Sequence, residues 1–274
     1  MPIFTVPRRN KVSDPDDFRA SLVEHLEELR GRIFKVLLLL ILGWVIGWFL
    51  EPWVYDRMND LVKPELAKLK TDYKEPFKSF TDPFMLKLKL SFFVGLILVL
   101  PFCVLQVWGF IEPGLKENEK KPLRVVAPLS VVLFGVGAGF CWLILPSAFS
   151  WFMTFVADFP GTVLYPEPGT FVFFTLKMLL AFGLGFQLPL LVFFLAKIGL
   201  LSPETLKTYW RQATVIIFFG AAIITPSNDM FSMMMMAVPL TLLFFISMWA
   251  VQVSAKKKLR LEREVEAESD ELAS

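Results

Sequence analysis

The side chains that could carry chemistry are few, and they do not form a catalytic pattern. His25 is the single histidine, so neither an HExxH zinc motif nor a serine–histidine pair with a second histidine is available. The chain has no phosphate-binding loop, and no aspartate lies within an apolar stretch to support an intramembrane aspartyl protease. The methionines at 233–236 favour an adaptable packing surface over a metal site. We therefore predict a protein that is not an enzyme and has neither cofactor nor metal.

Two acidic elements border apolar segments. Residues 21–24 have the pattern of a helix-capping box before an apolar stripe, which predicts an amphipathic helix leading into the first apolar segment. Its polar side carries Glu28, which can pair with Arg32 one turn later for a few tenths of a kcal/mol. Segment 113–121, which contains Glu119, has the composition of a solvated loop. Taken alone, both patterns favour a local structural role over binding.

One amide, Gln187, lies deep in an apolar segment. An amide in hydrocarbon needs a hydrogen-bonding partner. Pro189 follows two residues later and leaves the carbonyl of Gly185 without its helical donor. Gln187 can therefore satisfy this kink, or it can hydrogen-bond a guest helix, and the residues alone leave both interpretations open.

The distribution of charge identifies the class of protein. Six stretches totalling 139 of the 274 residues contain three of the 54 charged side chains. A soluble fold does not separate charge in this way, because its surface helices and strands carry charge on their outer faces. We therefore predict an integral membrane protein, and the net charge of +2 gives no support to a nucleic-acid partner. The three charges within the stretches, which we expect to snorkel to the interface, are Lys35, Lys89 and Lys177.

The apolar stretches predict an all-α protein, since helices satisfy their own backbone hydrogen bonds in lipid. The fifth stretch has only 13 residues, about 20 Å of helix, and its alternative is a buried or re-entrant segment. We expect it to form a hairpin with the sixth, beside a locally thin membrane. The six predicted spans are 33–50, 88–111, 125–146, 170–196, 213–225 and 230–253.

The positions of lysine and arginine predict that both termini lie in the cytoplasm. The segments assigned to the inside carry six, four, three and five basic residues, whereas loops 147–169 and 226–229 carry none. Loop 51–87 is the exception, with seven, and we expect it to form a short helix or two over the outer face. The three domains are then a cytoplasmic segment 1–32, the spans 33–253, and a charged tail 254–274 that we expect to be disordered.

Two pairs of glycines, Gly43 with Gly47 and Gly135 with Gly139, have the spacing of helix-packing motifs, which predicts that each pair packs against another helix.

A secondary transporter of a small solute is the alternative function. It predicts paired charges or broken helices at the midplane and an internal repeat, of which only the region of Gln187 and Pro189 comes near.

The order of several short motifs strongly resembles TatC, the signal-receptor family of the twin-arginine protein translocase. The resemblance runs from about residue 20 to 253, and each motif stands at the start, end or middle of a predicted span. The motifs are HLEELR at 25–30, LPF at 100–102, QVWGFIEP at 106–113, AFGLGFQLP at 181–189, SPE at 202–204, ITPSND at 224–229 and AVP at 237–239.

This resemblance implies a six-helix receptor that binds the twin-arginine signal peptides of folded cargo. Glu28 and Glu119 match the two family glutamates that face the arginine pair. Gln187 and Thr225 match polar positions of a groove for a partner helix, although many family members carry glutamate where this chain has Gln187.

The resemblance also implies the partners and the location. The partners are single-span proteins of the TatA and TatB type, in an oligomeric receptor complex that uses the proton-motive force. The location is the bacterial inner membrane, in contact with the lipid bilayer.

Overall fold

A computed structural model describes residues 15–67, 77–115, 117–159, 167–225 and 229–273, and every regular element among them is helical. This confirms the predicted all-α class. Two short 3₁₀ turns, Glu112–Gly114 and Phe155–Asp158, follow the second and third helices. The seven α-helices are α1 Pro15–Ala67, α2 Asp82–Ile111, α3 Glu117–Thr154, α4 Pro168–Gly185, α5 Leu188–Lys197, α6 Pro203–Ile224 and α7 Met230–Ala273.

Helix α1 is longer than the sequence predicted at both ends. It begins at Pro15, so the expected capping box at 21–24 lies within the helix and does not start it. A proline in the first turn followed by two aspartates favours this earlier start. Proline lacks only an amide hydrogen that would be unpaired there, and negative side chains interact favourably with the positive end of the helix dipole.

The far end of α1 lies well beyond residue 51, so our expectation that an outer loop begins there is wrong. The helix continues to Ala67, including Pro52 and Pro64. Met58 and Val62 are almost fully buried in the main hydrophobic cluster, beside residues of α2 and α4. Tertiary burial therefore extends the helix beyond the apolar stretch that the sequence marked.

The fourth predicted span is two helices, α4 and α5, with a break at Phe186 and Gln187. The amide of Gln187 donates to Leu184 at 2.9 Å in a tighter turn, and Pro189 has no amide to donate. The pair still forms one apolar element long enough to cross a membrane.

Helix α6 begins at a well-formed cap and packs along α7. Ser202 accepts a hydrogen bond from the amide of Thr205 at 3.0 Å, and Pro203 occupies the first helical position. Among the described residues, α1, α2, α3, α4 with α5, and α7 are long and apolar enough to span a membrane, whereas α6 falls short of that length of apolar sequence.

The charged tail is helical as far as the structure describes it. We expected disorder over 254–274, but α7 continues without interruption to Ala273. The tail is rich in glutamate, lysine, arginine, leucine and alanine, which are strong helix formers, and contains neither glycine nor proline. Its high charge opposes burial in a core but does not oppose a solvated helix.

Helices α1 and α2 approach each other unusually closely. A methyl group on Gly47 would overlap the Ser91 carbonyl, and one on Gly43 would lie 2.8 Å from the Gly95 carbonyl oxygen. Trp44 closes the contact by donating from Nε1 to Ser91 Oγ at 3.1 Å. The packing prediction for the Gly43 and Gly47 pair therefore agrees with the structure.

The corresponding prediction for Gly135 and Gly139 is wrong. Nothing lies within 4 Å of a methyl group built on either residue, whereas one on Gly137 would lie 2.7 Å from the Phe182 carbonyl oxygen. Two residues rotate a helix by about 200°, so Gly137 faces α4 and its two neighbours face away. Spacing alone does not fix this rotation.

We expect Gly47→Ala to lower the melting temperature of the detergent-solubilised protein, because the added methyl group overlaps backbone on α2. Overpacking of this kind costs about 1–3 kcal/mol. Gly139→Ala is the matched control and should leave stability unchanged or slightly higher, since alanine is the better helix former. Equal melting temperatures for the two variants would contradict the close contact.

Candidate functional site

Glu28 lies near the start of the membrane-crossing part of α1 and is held by a side chain on the next turn. Arg32 donates to Glu28 Oε1 from Nε at 3.0 Å and from Nη2 at 2.6 Å. The expected local pair therefore exists. Both donors reach the same oxygen, and among the described residues the ring nitrogen Nδ1 of His25, at 3.8 Å, is the group paired with Glu28 Oε2.

The end of α2 fixes these groups in place. The His25 ring stacks on Phe110 with centroids 4.5 Å apart and an angle of 21° between the rings. The Arg32 guanidinium lies against Gly109, where a methyl group would overlap it. A larger residue at 109 would therefore shift the Arg32 guanidinium from this position.

Glu119 belongs to the same end of the bundle by connectivity. The 3₁₀ turn Glu112–Gly114 follows Phe110 almost directly, and α3 begins at Glu117. Glu119 is thus in the first turn of α3, where an acidic residue is favoured by the helix dipole. Its side chain lies outside the described part of the structure. We call this region, with His25, Glu28, Arg32 and Phe110, the carboxylate end.

Buried aromatic packing makes the carboxylate end rigid. Trp108 is 6% exposed and meets Phe194 of α5 edge to face, with centroids 5.1 Å apart. Leu123 and Val126 of α3 belong to the same cluster. The ends of α2, α3 and α5 therefore form one packed unit beneath the Glu28 region.

Gln187 lies at the break between α4 and α5 and links it to α3. Its Nε2 donates to the Ser130 carbonyl at 2.9 Å and more weakly to the Gly183 carbonyl at 3.4 Å. The amide thus serves the broken helix, as one interpretation predicted, but through Gly183 instead of Gly185. Its Oε1 is buried and has no hydrogen-bond partner among the described residues.

Thr225 ends α6 and is not hydrogen-bonded to Gln187. It is 5% exposed, and its hydroxyl makes only a long contact of 3.5 Å with the Ala222 carbonyl. One turn earlier, Ala221 belongs to the same hydrophobic cluster as Phe186. The two predicted groove residues therefore border one cluster but do not form a single polar site.

The faces of α6 and α7 that point away from the core are strongly apolar. These side chains remain 47–70% exposed, more than a soluble protein would leave uncovered over a continuous surface. Such a surface suits lipid or another membrane helix. The residues are Val215, Ile216, Phe219 and Ile223 on α6, and Val238, Leu242, Ile246 and Trp249 on α7.

Sequence reasoning missed three contacts at the carboxylate end: His25 and Phe110, which stack there, and Gly109, which lies against Arg32. Residues 106–113 and 25–30 were noticed only as separate motifs. Their contact depends on the antiparallel pairing of α1 with α2, which no local pattern reveals.

The fold and this site define an all-α integral membrane protein with a carboxylate held at one end. No group of histidine, cysteine and acidic side chains able to hold a metal occurs among the described residues. The family model for the Sec-independent protein translocase protein TatC matches residues 24–239. The chain therefore belongs to the TatC family, as its motifs predicted.

Individual relatives and solved structures agree with this assignment. TatC of Desulforapulum autotrophicum is 36% identical over 256 residues, 93% of each chain. TatC of Carboxydothermus hydrogenoformans is 32% identical over 250 residues, 90% of this chain and 99% of its own. A crystal structure of the twin-arginine translocase receptor TatC in dodecyl maltoside is 30% identical, with a TM-score of 0.68, and covers 82% of this chain and 98% of its own.

Proposed function

We propose that this Sec-independent translocase protein is the receptor for twin-arginine signal peptides, and that Glu28 and Glu119 bind the arginine pair. The observation that carries the proposal is the state of the Glu28 carboxylate. Arg32 uses Oε1 alone, and no described residue offers Oε2 a donor closer than the His25 nitrogen at 3.8 Å. A carboxylate has about four lone-pair sites, so Oε2 can accept a guanidinium from a ligand.

Arginine fits this arrangement better than lysine. Its planar guanidinium presents several donors in a fixed geometry, whereas the ammonium of lysine is a compact charge without that directionality. Charge-assisted hydrogen bonds contribute about 1.5–3 kcal/mol each, and a micromolar site needs roughly 8 kcal/mol. The Glu28 side chain is 31% exposed, which lowers its contribution. The apolar part of the signal must therefore add burial against the spans.

The proposed topology has six spans with both termini in the cytoplasm, so the carboxylate end faces the compartment where cargo is made. The basic-residue counts and the approximately antiparallel course of α1 and α2 support this orientation. Helix α6 is the short crossing. Its polar first half would lie near the interface, and its apolar second half would require a locally thin bilayer.

The partner-helix proposal concerns the exposed apolar faces of α6 and α7 and the polar groups beside them. Single-span proteins of the TatA and TatB type would pack on these faces within an oligomeric complex in the bacterial inner membrane. The unpartnered Oε1 of Gln187 is a hydrogen-bond acceptor that a guest helix could use after a small rearrangement. Transport would then be driven by the proton-motive force.

A small-solute transporter is less well supported. That alternative predicted paired charges or broken helices at the midplane. A break does occur between α4 and α5, but Gln187 is uncharged and its amide already bonds two backbone carbonyls. Membership of the TatC family also argues against a small-solute transporter.

We expect Glu28→Gln to weaken binding of a twin-arginine signal peptide about tenfold or more, because the amide retains shape but loses the charge. Glu28→Gln combined with Glu119→Gln should abolish detectable binding. Site-specific crosslinking of a signal peptide to the protein in membranes measures the effect.

Neighbouring glutamates provide the controls for this experiment. Glu27→Gln and Glu117→Gln remove the same charge from the same helical turns and should leave crosslinking nearly unchanged. Equal losses from the control and site variants, or equal binding of an Arg-Arg and a Lys-Lys signal, would contradict the proposal.

The topology predicts opposite accessibility of two serines just beyond the ends of the predicted third and sixth spans. Cysteine placed at Ser147 should label from the periplasm, and cysteine placed at Ser254 should not label without permeabilisation. Cys103 and Cys141 are replaced beforehand to remove background. Labelling of Ser254→Cys alone from outside would reverse the orientation.

We expect Gln187→Leu and Thr225→Val each to reduce co-purification of a TatA- or TatB-type partner by several-fold. Thr214→Val is the control on α6, since its hydroxyl bonds its own helix at the Trp210 carbonyl. Because Gln187 also bonds Ser130, the melting temperature of each variant is measured in parallel. Undiminished co-purification by stable variants would remove both residues from the groove.

A further inference from the structure

A cavity of about 690 Å³ lies at the end of the bundle opposite Glu28, between the first turns of α2 and α4. Both helices begin at this end, so both of their positive dipole ends face the same region. None of the residues assigned above to the signal or partner sites lines it. We call this space the far cavity.

Two lysines reach into the far cavity without a carboxylate to neutralise them. Lys89 and Lys177 both line it, and neither forms an ion pair with a described residue. The Lys89 amine lies 5.9 Å from the centre of the Phe173 ring. Both lysines, which we expected to snorkel, therefore extend into the same cavity.

The two acids of the far cavity are already engaged. Asp82 accepts hydrogen bonds from the backbone amides of Lys78 at 3.0 Å and Ser79 at 2.8 Å. Glu167 is ion-paired with Lys78 and raises the pKa of that amine. Among the described residues, three lysines and two acids line the cavity, which leaves one net positive charge beside Lys89 and Lys177.

Depth and wall composition indicate a ligand that is partly apolar. Lys89 is the eighth residue of α2 and Lys177 the tenth of α4, about 10–14 Å below the helix starts. Extended lysine side chains bring their amines back toward the interface, where phospholipid headgroups lie. Leu86 and Phe174 line the walls of the same space. A soluble anion would gain nothing from these walls.

We propose that the far cavity binds an anionic phospholipid, with the headgroup phosphate between Lys89 and Lys177 and the glycerol and first acyl carbons against the apolar walls. A phosphodiester carries the negative charge that the amines lack, and its oxygens accept several hydrogen bonds. The ligand would join α2 to α4 at the membrane surface, beside the Lys78–Glu167 pair.

Native mass spectrometry of the delipidated protein, titrated with phosphatidylglycerol or phosphatidylcholine, tests this assignment. Phosphatidylglycerol should bind more tightly, and Lys89→Gln and Lys177→Gln should each weaken it about fivefold, the usual effect of one basic residue at an anionic lipid surface. Lys177→Arg should retain binding, which separates loss of charge from loss of fold.

Lys87→Gln is the matched control. Lys87 precedes Lys89 by two residues and so lies on the opposite face of α2. There it approaches Glu51 and Trp48 instead of the far cavity. This variant should bind phosphatidylglycerol normally. Equal loss in Lys87→Gln, equal binding of the two lipids, or full displacement of phosphatidylglycerol by millimolar inorganic phosphate would overturn the proposal.

Discussion

The contact of α1 with α2 at Gly43, Gly47 and Gly95 is the constraint on which the two ends of the molecule depend. Without side chains at these positions the backbones approach closely, and attraction between the helices comes from many short van der Waals contacts. The same antiparallel register, carried toward the start of α1, places Arg32 against Gly109. Lipid cannot drive helix association by the hydrophobic effect, so this shape complementarity supplies the specificity.

Gln187 follows a second rule, that an unsatisfied donor is costly in hydrocarbon, whereas the buried Trp108 Nε1 has no hydrogen-bond partner among the described residues. Gln187 stands where the α4 backbone is broken, and its amide hydrogens reach carbonyls on two helices. Its remaining acceptor atom is less costly to leave unpaired than a donor, since carbonyl oxygens are under-satisfied more often than amide hydrogens. An ionised glutamate at this position would lack the donor.

Charge segregation predicted the class of protein and the approximate spans, because segments that lie in lipid must consist almost entirely of apolar residues. It could not predict helix ends, since the extension of α1 to Ala67 depends on Met58 and Val62 meeting other helices. It could not predict that Gly137 packs while Gly135 and Gly139 do not, because rotation about the helix axis is set by partners. Likewise, the Gln187–Ser130 bond joins residues 57 positions apart. The carboxylate at Glu28 was found through its motif, but its surroundings required the fold.

Selectivity at the carboxylate end, on the proposed function, must come from geometry and not from net charge. Between 25 and 32, two acids are balanced by two arginines, and segment 112–124 has three acids against four basic residues. Such a surface has no strong negative field to attract a dibasic peptide from a distance. Discrimination therefore depends on individual oxygens that accept hydrogen bonds in fixed directions. Arg32 contributes by holding Oε1, because a carboxylate anchored through one oxygen presents the other oxygen in a single orientation. A planar guanidinium can match that orientation, whereas an ammonium has no such directionality.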